Sequence, residues 1–146
     1  MGWGDWGKKF SIPQMQELIE KAVDIGIHTF DHADIYGGYT TEKSFGKAFK
    51  KSSLPREKVQ FITKCGIQIP CEGRPVQVKH YDYTTSHIQA SVDNSLKNLN
   101  TEYLDLLLLH RPSPLMDEKI INDIITKLQR EGKVKEFGVS NFTSSQ

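Results

Sequence analysis

Four stretches of strand-forming sequence, starting near residues 27, 59, 103 and 134, alternate with stretches of helical spacing. A chain that alternates in this way must return across its sheet through each helix, which makes the strands parallel. Ser11 and Pro13 open the first helical stretch, where Ile12, Met15, Leu18, Ile19, Ala22 and Val23 recur until Gly26. A strand over 27–31 follows, then a helix over 41–51 with Phe45, Ala48 and Phe49 on one side, then a strand from Val59 to Lys64. Thr85 is the expected cap of a third helix marked by Ile88, Val92, Leu96 and Leu99. The next strand, Tyr103 to Leu109, is almost wholly apolar, as parallel strands covered on both faces tend to be. Asp117 opens a fourth helix expected to bury Ile120, Ile121, Ile124, Ile125 and Leu128, and Val134 to Ser140 reads as the fourth strand. Between Cys65 and Tyr83 the pattern lapses into Gly, Pro and polar residues. A loop of roughly 19 positions is longer than an ordinary connection and reads as a lid or insertion.

Two architectures fit this order, a doubly wound sheet and part of a (β/α)8 barrel. No G-x-G-x-x-G or G-x-x-x-x-G-K-[ST] follows any strand, so the phosphate fingerprints expected of the first are missing. The barrel is favoured by what stands at the C-terminal strand ends: Asp31, Lys64, His110 and Ser140, one polar group per successive strand. That rim is where barrel enzymes gather their chemistry. Tyr36 lies just beyond Asp31, before Gly37-Gly38, a pair that lets the backbone bend sharply.

Taken singly, each of these residues has a structural explanation: a snorkelling lysine, a half-buried histidine, a capping carboxylate, a rim aromatic. Together they compose a proton-donating site. A phenol gives up its proton at neutral pH only where a neighbouring cation stabilises the phenolate, and Lys64 could supply that cation. Asp31 would hold Lys64 in place, and His110 could donate a hydrogen bond to a carbonyl oxygen as charge develops on it.

The motifs F-D-H-A-D-I-Y-G, I-T-K-C-G, L-D-L-L-L-L-H-R-P and G-V-S-N-F together resemble the aldo-keto reductases, and the resemblance runs over nearly the whole chain. It implies a parallel (β/α)8 barrel of the TIM type that transfers hydride from NADPH to an aldehyde or ketone. By that resemblance Asp31, Tyr36, Lys64 and His110 occupy the positions of the family's catalytic tetrad, with Tyr36 as general acid. Ser140 and Asn141 match the family's pair that hydrogen-bonds the nicotinamide carboxamide, and no metal is required. His32 stands where the family often carries a small Thr or Cys, and Asp34 adds a second carboxylate; both read as neighbours of the site rather than participants, an influence on substrate choice being the alternative for His32. Trp3 and Trp6 are expected either to line the substrate pocket or to pack as core aromatics.

A barrel of this type runs to about 250 residues. The chain, with 146, therefore reads as one truncated domain over 1–146 of about four to five βα units, short of the first strand and the last three units. Such a piece is expected to pair with itself or with a complementary C-terminal half, or else to stay only marginally folded.

Other classes of function fare less well. A metal-dependent hydrolase using His28, Asp31, His32, Asp34 and His110 is disfavoured because His28 and Asp31 differ in parity along one strand and point to opposite faces. A non-catalytic half-barrel that binds a protein partner, or an inactive fragment, remains the alternative, since fold does not fix function. A net charge of +1 with interspersed signs gives no nucleic-acid footprint. The longest apolar run, Leu106 to Leu109, is far too short to span a bilayer. Cys65 and Cys71 lack C-x-x-C spacing, so reduced thiols and a cytoplasmic location are the expectation.

Overall fold

A computed structural model describes residues 2–72 and 74–146. Helix α1, Ile12–Asp24, starts where the sequence indicates: Ser11 Oγ accepts from the Gln14 amide while Gln14 Oε1 accepts from the Ser11 amide at 2.9 Å, a reciprocal cap that satisfies two orphan donors. Met15 and Ile19 are its buried face. Gly26, at φ +88°, turns the chain towards β1, Thr29–Asp31. The strand begins two residues later than expected, because Ile27 lies in solvent. Beyond it come α2, a single turn over Tyr36–Tyr39, and α3, Thr41–Lys51.

Strand β2, Gln60–Cys65, follows a 3₁₀ turn. Residues 65–83, expected to form a loop, instead contain two short strands, β3 at Ile67–Gln68 and β4 at His80–Tyr81, paired antiparallel. Local backbone pairing gives this excursion a stem that composition did not reveal. Helix α4, Thr85–Leu99, is capped by Thr84, not Thr85: Thr84 is extended and its Oγ1 accepts from the His87 amide. Then follow β5, Leu104–Leu109, α5, Glu118–Arg130, and β6, Val134–Val139. The four long-range strands form one parallel sheet in the order β1-β2-β5-β6.

Helices α3, α4 and α5 pack in sequence along one face, with α1 beside α3. Phe45 and Phe49 of α3 meet Phe61 of β2 edge-on at 5.4 and 5.1 Å between ring centres, an arrangement that adds to the 1.5–3 kcal/mol or so that burying each ring contributes. Buried Glu42 ties three elements: it accepts from Thr63 Oγ1 at 2.6 Å and from Ser95 Oγ at 3.0 Å. The opposite face carries Asp31, Ile62, Lys64, Leu106 and Leu108, in register across β1, β2 and β5. Leu104, Leu107 and Leu109 are buried, but Leu106 and Leu108 are only partly covered. The expectation that β5 is covered on both faces therefore holds on the helix side and, on the interior face, only at Leu104 near the start of the strand, because four strands form an arc and do not close over the interior. Ile120 is also more exposed than expected, left at the margin of α5 beside Thr84–Ser86. Among the described residues no helix is long and apolar enough to cross a membrane.

At the far end of the sheet from the rim, Arg56 closes the strands together. Its guanidinium donates to Asp105 Oδ2 at 2.6 Å, to the carbonyl oxygens of Val59 and Tyr103 at 2.7 and 3.0 Å, and to Thr101 Oγ1 at 2.8 Å. It is also sandwiched between the rings of Phe61 and Tyr103 at 4.1 and 4.2 Å. Arg56→Met should lower stability by about 2 kcal/mol, read from urea midpoints, because it leaves Asp105 and two carbonyls short of a partner. An unchanged midpoint would show that water replaces these bonds without cost.

Candidate active site

The sheet register brings the rim residues together. Asp31 ends β1 and Lys64 lies one residue from the end of β2, and both sit on the interior face. Lys64 Nζ donates to Asp31 Oδ1 at 2.6 Å, to the His32 carbonyl oxygen at 2.8 Å, and lies 3.4 Å from Tyr36 Oη. The lysine is buried and the carboxylate side chain half exposed, so the ammonium is held from below and faces the mouth. Tyr36 reaches it because Gly37 and Gly38, at φ +63° and +64°, curl the chain straight after the tyrosine.

His110 follows β5. Its amide donates to the Cys65 carbonyl oxygen at 3.0 Å, and its ring stands edge-on to Tyr36 with centres 6.0 Å apart. Burial, helped by the Lys64 and Arg111 charges, pushes its imidazole down to about 4. At neutral pH the ring is uncharged and can offer a hydrogen bond without carrying a positive charge into the site. Ser140 follows β6, its amide donating to the Leu109 carbonyl oxygen at 2.8 Å; Asn141, at φ +63°, donates from Nδ2 to the His110 carbonyl oxygen at 3.1 Å. All six rim residues singled out in the sequence thus lie along one edge of the sheet.

Their neighbours are sorted differently. His32 has its ring against Phe45 and Phe61, at 4.4 and 6.0 Å, on the helix side of the sheet. It is fully buried and pushed down to about 3 by that burial. Alternation along the chain puts it on the face away from Asp31, so it is a neighbour of the site and its alternative influence on substrate choice has no direct route. Asp34 is buried behind the site, where its Oδ2 accepts from Ser91 Oγ at 2.7 Å, and burial raises its carboxyl to about 7. Trp3 packs with Phe10, Phe30 and Phe45. Trp6, 61% exposed, lines with Tyr36 a cleft of about 280 Å³. The packed-aromatic reading thus holds for Trp3, while Trp6 is exposed beside Tyr36. Among the described residues no group of three or more His, Cys, Asp and Glu side chains is placed to hold a metal.

Sequence reasoning missed Tyr83. Its hydroxyl bonds the backbone of Arg111, next to His110. The tyrosine falls inside the stretch read as a loop, and no local pattern links it to a histidine far along the chain.

Comparison with known proteins agrees with this geometry. The chain is 50% identical over 138 residues to the uncharacterized oxidoreductase YcsN of Bacillus subtilis (strain 168), covering 94% of this chain and 46% of that protein. It is 46% identical over 142 residues to the oxidoreductase YdhF of Escherichia coli (strain K12), covering 97% and 47%. Among solved structures, the glycerol dehydrogenase AKR11B4 from Gluconobacter oxydans superposes with a TM-score of 0.79 at 27% identity, over 91% of this chain and 39% of that one. The chain thus spans about half the length of the relatives it matches, and its four parallel strands are an arc of their TIM-type (β/α)8 barrel. The aldo/keto reductase family model matches residues 1–146, and on that match this chain belongs to the aldo/keto reductase family.

Proposed function

We propose that the protein to which this chain belongs reduces an aldehyde or ketone with NADPH, and that Asp31, Tyr36, Lys64 and His110 carry the proton chemistry. The observation that supports it most is the position of Lys64 Nζ, shared by Asp31 Oδ1, the His32 carbonyl oxygen and Tyr36 Oη. The similarity to two oxidoreductases and to a 6-dehydroglucose reductase of Agrobacterium fabrum supports the same reading.

In this reading the neutral His110 ring hydrogen-bonds the carbonyl oxygen and orients it towards Tyr36. Tyr36 Oη then delivers a proton to that oxygen as it becomes an alkoxide. Lys64 stabilises the phenolate left behind, and Asp31 keeps the ammonium pointed at it. When bound, NADPH would supply the hydride. The residues present fit the nicotinamide end: Ser140 and Asn141 offer polar side chains on the rim beside His110, next to a partly open interior face. By the same resemblance the family's grip on the cofactor's phosphates comes from later strands, so affinity of this chain alone should be weak.

The chain's own assembly enters the same proposal. β1 and β6 are open edges of the sheet, and a groove of about 870 Å³ along α5 and β6 exposes apolar side chains including Phe137, Val139 and Phe142. We propose that a second copy or a complementary half covers these surfaces, in the cytoplasm, where Cys65 and Cys71 stay reduced. A well-folded monomer at micromolar concentration in sedimentation would contradict that.

Lys64→Met tests the mechanism. It should lower carbonyl turnover by a factor on the order of 10², measured as carbonyl-dependent NADPH oxidation. Unaltered turnover would remove Lys64 from the chemistry.

A further inference from the structure

We propose that Tyr83 is a positioning residue for His110, acting through the Arg111 peptide from the base of the β3–β4 excursion. The proposal rests on the reading of His110 as the group that orients the carbonyl. Tyr83 Oη donates to the Arg111 carbonyl oxygen at 2.5 Å and accepts from the Arg111 amide at 3.2 Å. One hydroxyl therefore holds both polar groups of the residue that follows the histidine. Pro112 comes next and has no amide to donate, so the β5 ladder gains no donor from the residue that follows. On its other side His110 is held by its amide to the Cys65 carbonyl oxygen and by Asn141 Nδ2 on its own carbonyl oxygen. Three residues, Cys65, Asn141 and Tyr83, tether a two-residue segment, and of these only Tyr83 comes from outside the sheet rim.

The tyrosine is itself rigidly seated. Its ring lies close against Gly66, where an added Cβ would come 2.0 Å from Cε1, and Gly66 is at φ +106°. Position 66 is thus glycine on two grounds, close approach and backbone. Asp82, the residue before, donates its amide to the Gly66 carbonyl oxygen at 2.9 Å, and Thr84, the residue after, caps α4. Burial raises the Tyr83 phenol to about 12, so the hydroxyl keeps its proton throughout the working pH range. A hydroxyl anchored this firmly limits how far the imidazole can drift. Displacement of an orienting group by an ångström or so is enough to slow a reaction that depends on alignment.

The test uses Tyr83→Phe, which keeps the ring against Gly66 and removes only the oxygen. Histidine side-chain NMR should show the His110 titration moving from its low position towards the ordinary imidazole value as the segment loosens. In the same variant kcat for carbonyl reduction should fall about tenfold with NADPH affinity unchanged. Tyr39→Phe is the control. The Tyr39 hydroxyl also braces the excursion, through the Ile67 carbonyl oxygen and the Ile69 amide, but not His110, so its titration should stay in place. Hydrogen exchange on the unmutated chain adds a measurement that needs no variant: the Arg111 amide should be protected although it lies beyond the strand. An unprotected Arg111 amide, or a His110 titration identical in Tyr83→Phe and wild type, overturns the proposal. If the titration moves but no form of the protein reduces carbonyls, the positioning stands and the catalytic reading of His110 falls.

Discussion

Tyr36→Phe should lower NADPH-dependent carbonyl reduction by a factor on the order of 10² or more while leaving cofactor affinity nearly unchanged. The substitution removes one oxygen and keeps the ring, which stands edge-on to His110 with centres 6.0 Å apart and lies 5.2 Å from Lys64 Nζ. Packing at the mouth is therefore retained, and the lost term is proton delivery to the developing alkoxide. Steady-state rates combined with a fluorescence titration of NADPH separate the two effects. A loss of binding equal to the loss of rate would assign Tyr36 a structural role.

The second large effect is on stability. His32 is buried between Phe45 and Phe61, neither ring nitrogen has a hydrogen-bond partner, and burial pushes the imidazole to about 3. Above pH 6.5 or so the residue is neutral in both folded and unfolded chains and contributes no pH dependence. Below that value the unfolded chain takes up a proton that the folded one refuses until about pH 3. Stability therefore falls with acidity, by about 2 kcal/mol at pH 5 from this residue. Asp34, raised to about 7 by burial, has the opposite sign: folding favours its neutral form, so the benefit present in acid is lost as pH climbs towards 7. The two partly cancel in the wild-type profile, and a single curve would hide both. His32→Leu isolates the first. Its advantage over wild type should grow by about 2 kcal/mol between pH 7 and pH 5 in urea unfolding, whereas a constant gap would mean that His32 does not titrate as its burial requires.

How much of this could be read in advance depended on how local the determining physics is. The alternation of elements and the polar strand ends are written in neighbouring residues, and Asp31, Lys64 and His110 fell on one rim because parallel strands in register all present their C-terminal ends on one side. Ser11 and Asp117 announced their helices through side chains that bond amides two or three positions on. The α4 cap was misplaced by one residue because Thr84 and Thr85 are chemically identical candidates, and only backbone conformation chooses between them. The β3–β4 stem was missed because two-residue strands carry no periodicity. His32 lies next to Asp31 in sequence yet on the other face of the sheet, as the alternation of side chains along an extended chain requires. Tyr83 was invisible for a different reason: its importance lies in a hydroxyl that meets Arg111 only after the sheet has formed.

The central claim is that this rim passes a proton to a carbonyl oxygen while hydride arrives from NADPH. It is tested most directly by following the label from NADPH carrying two deuteriums at nicotinamide C4 into an aldehyde, with wild-type protein and Tyr36→Phe side by side. The account predicts deuterium on the carbinol carbon of the product with wild type, and little product with the variant despite equal cofactor binding. Product that carries no deuterium, or equal deuterated product from both proteins, would contradict it.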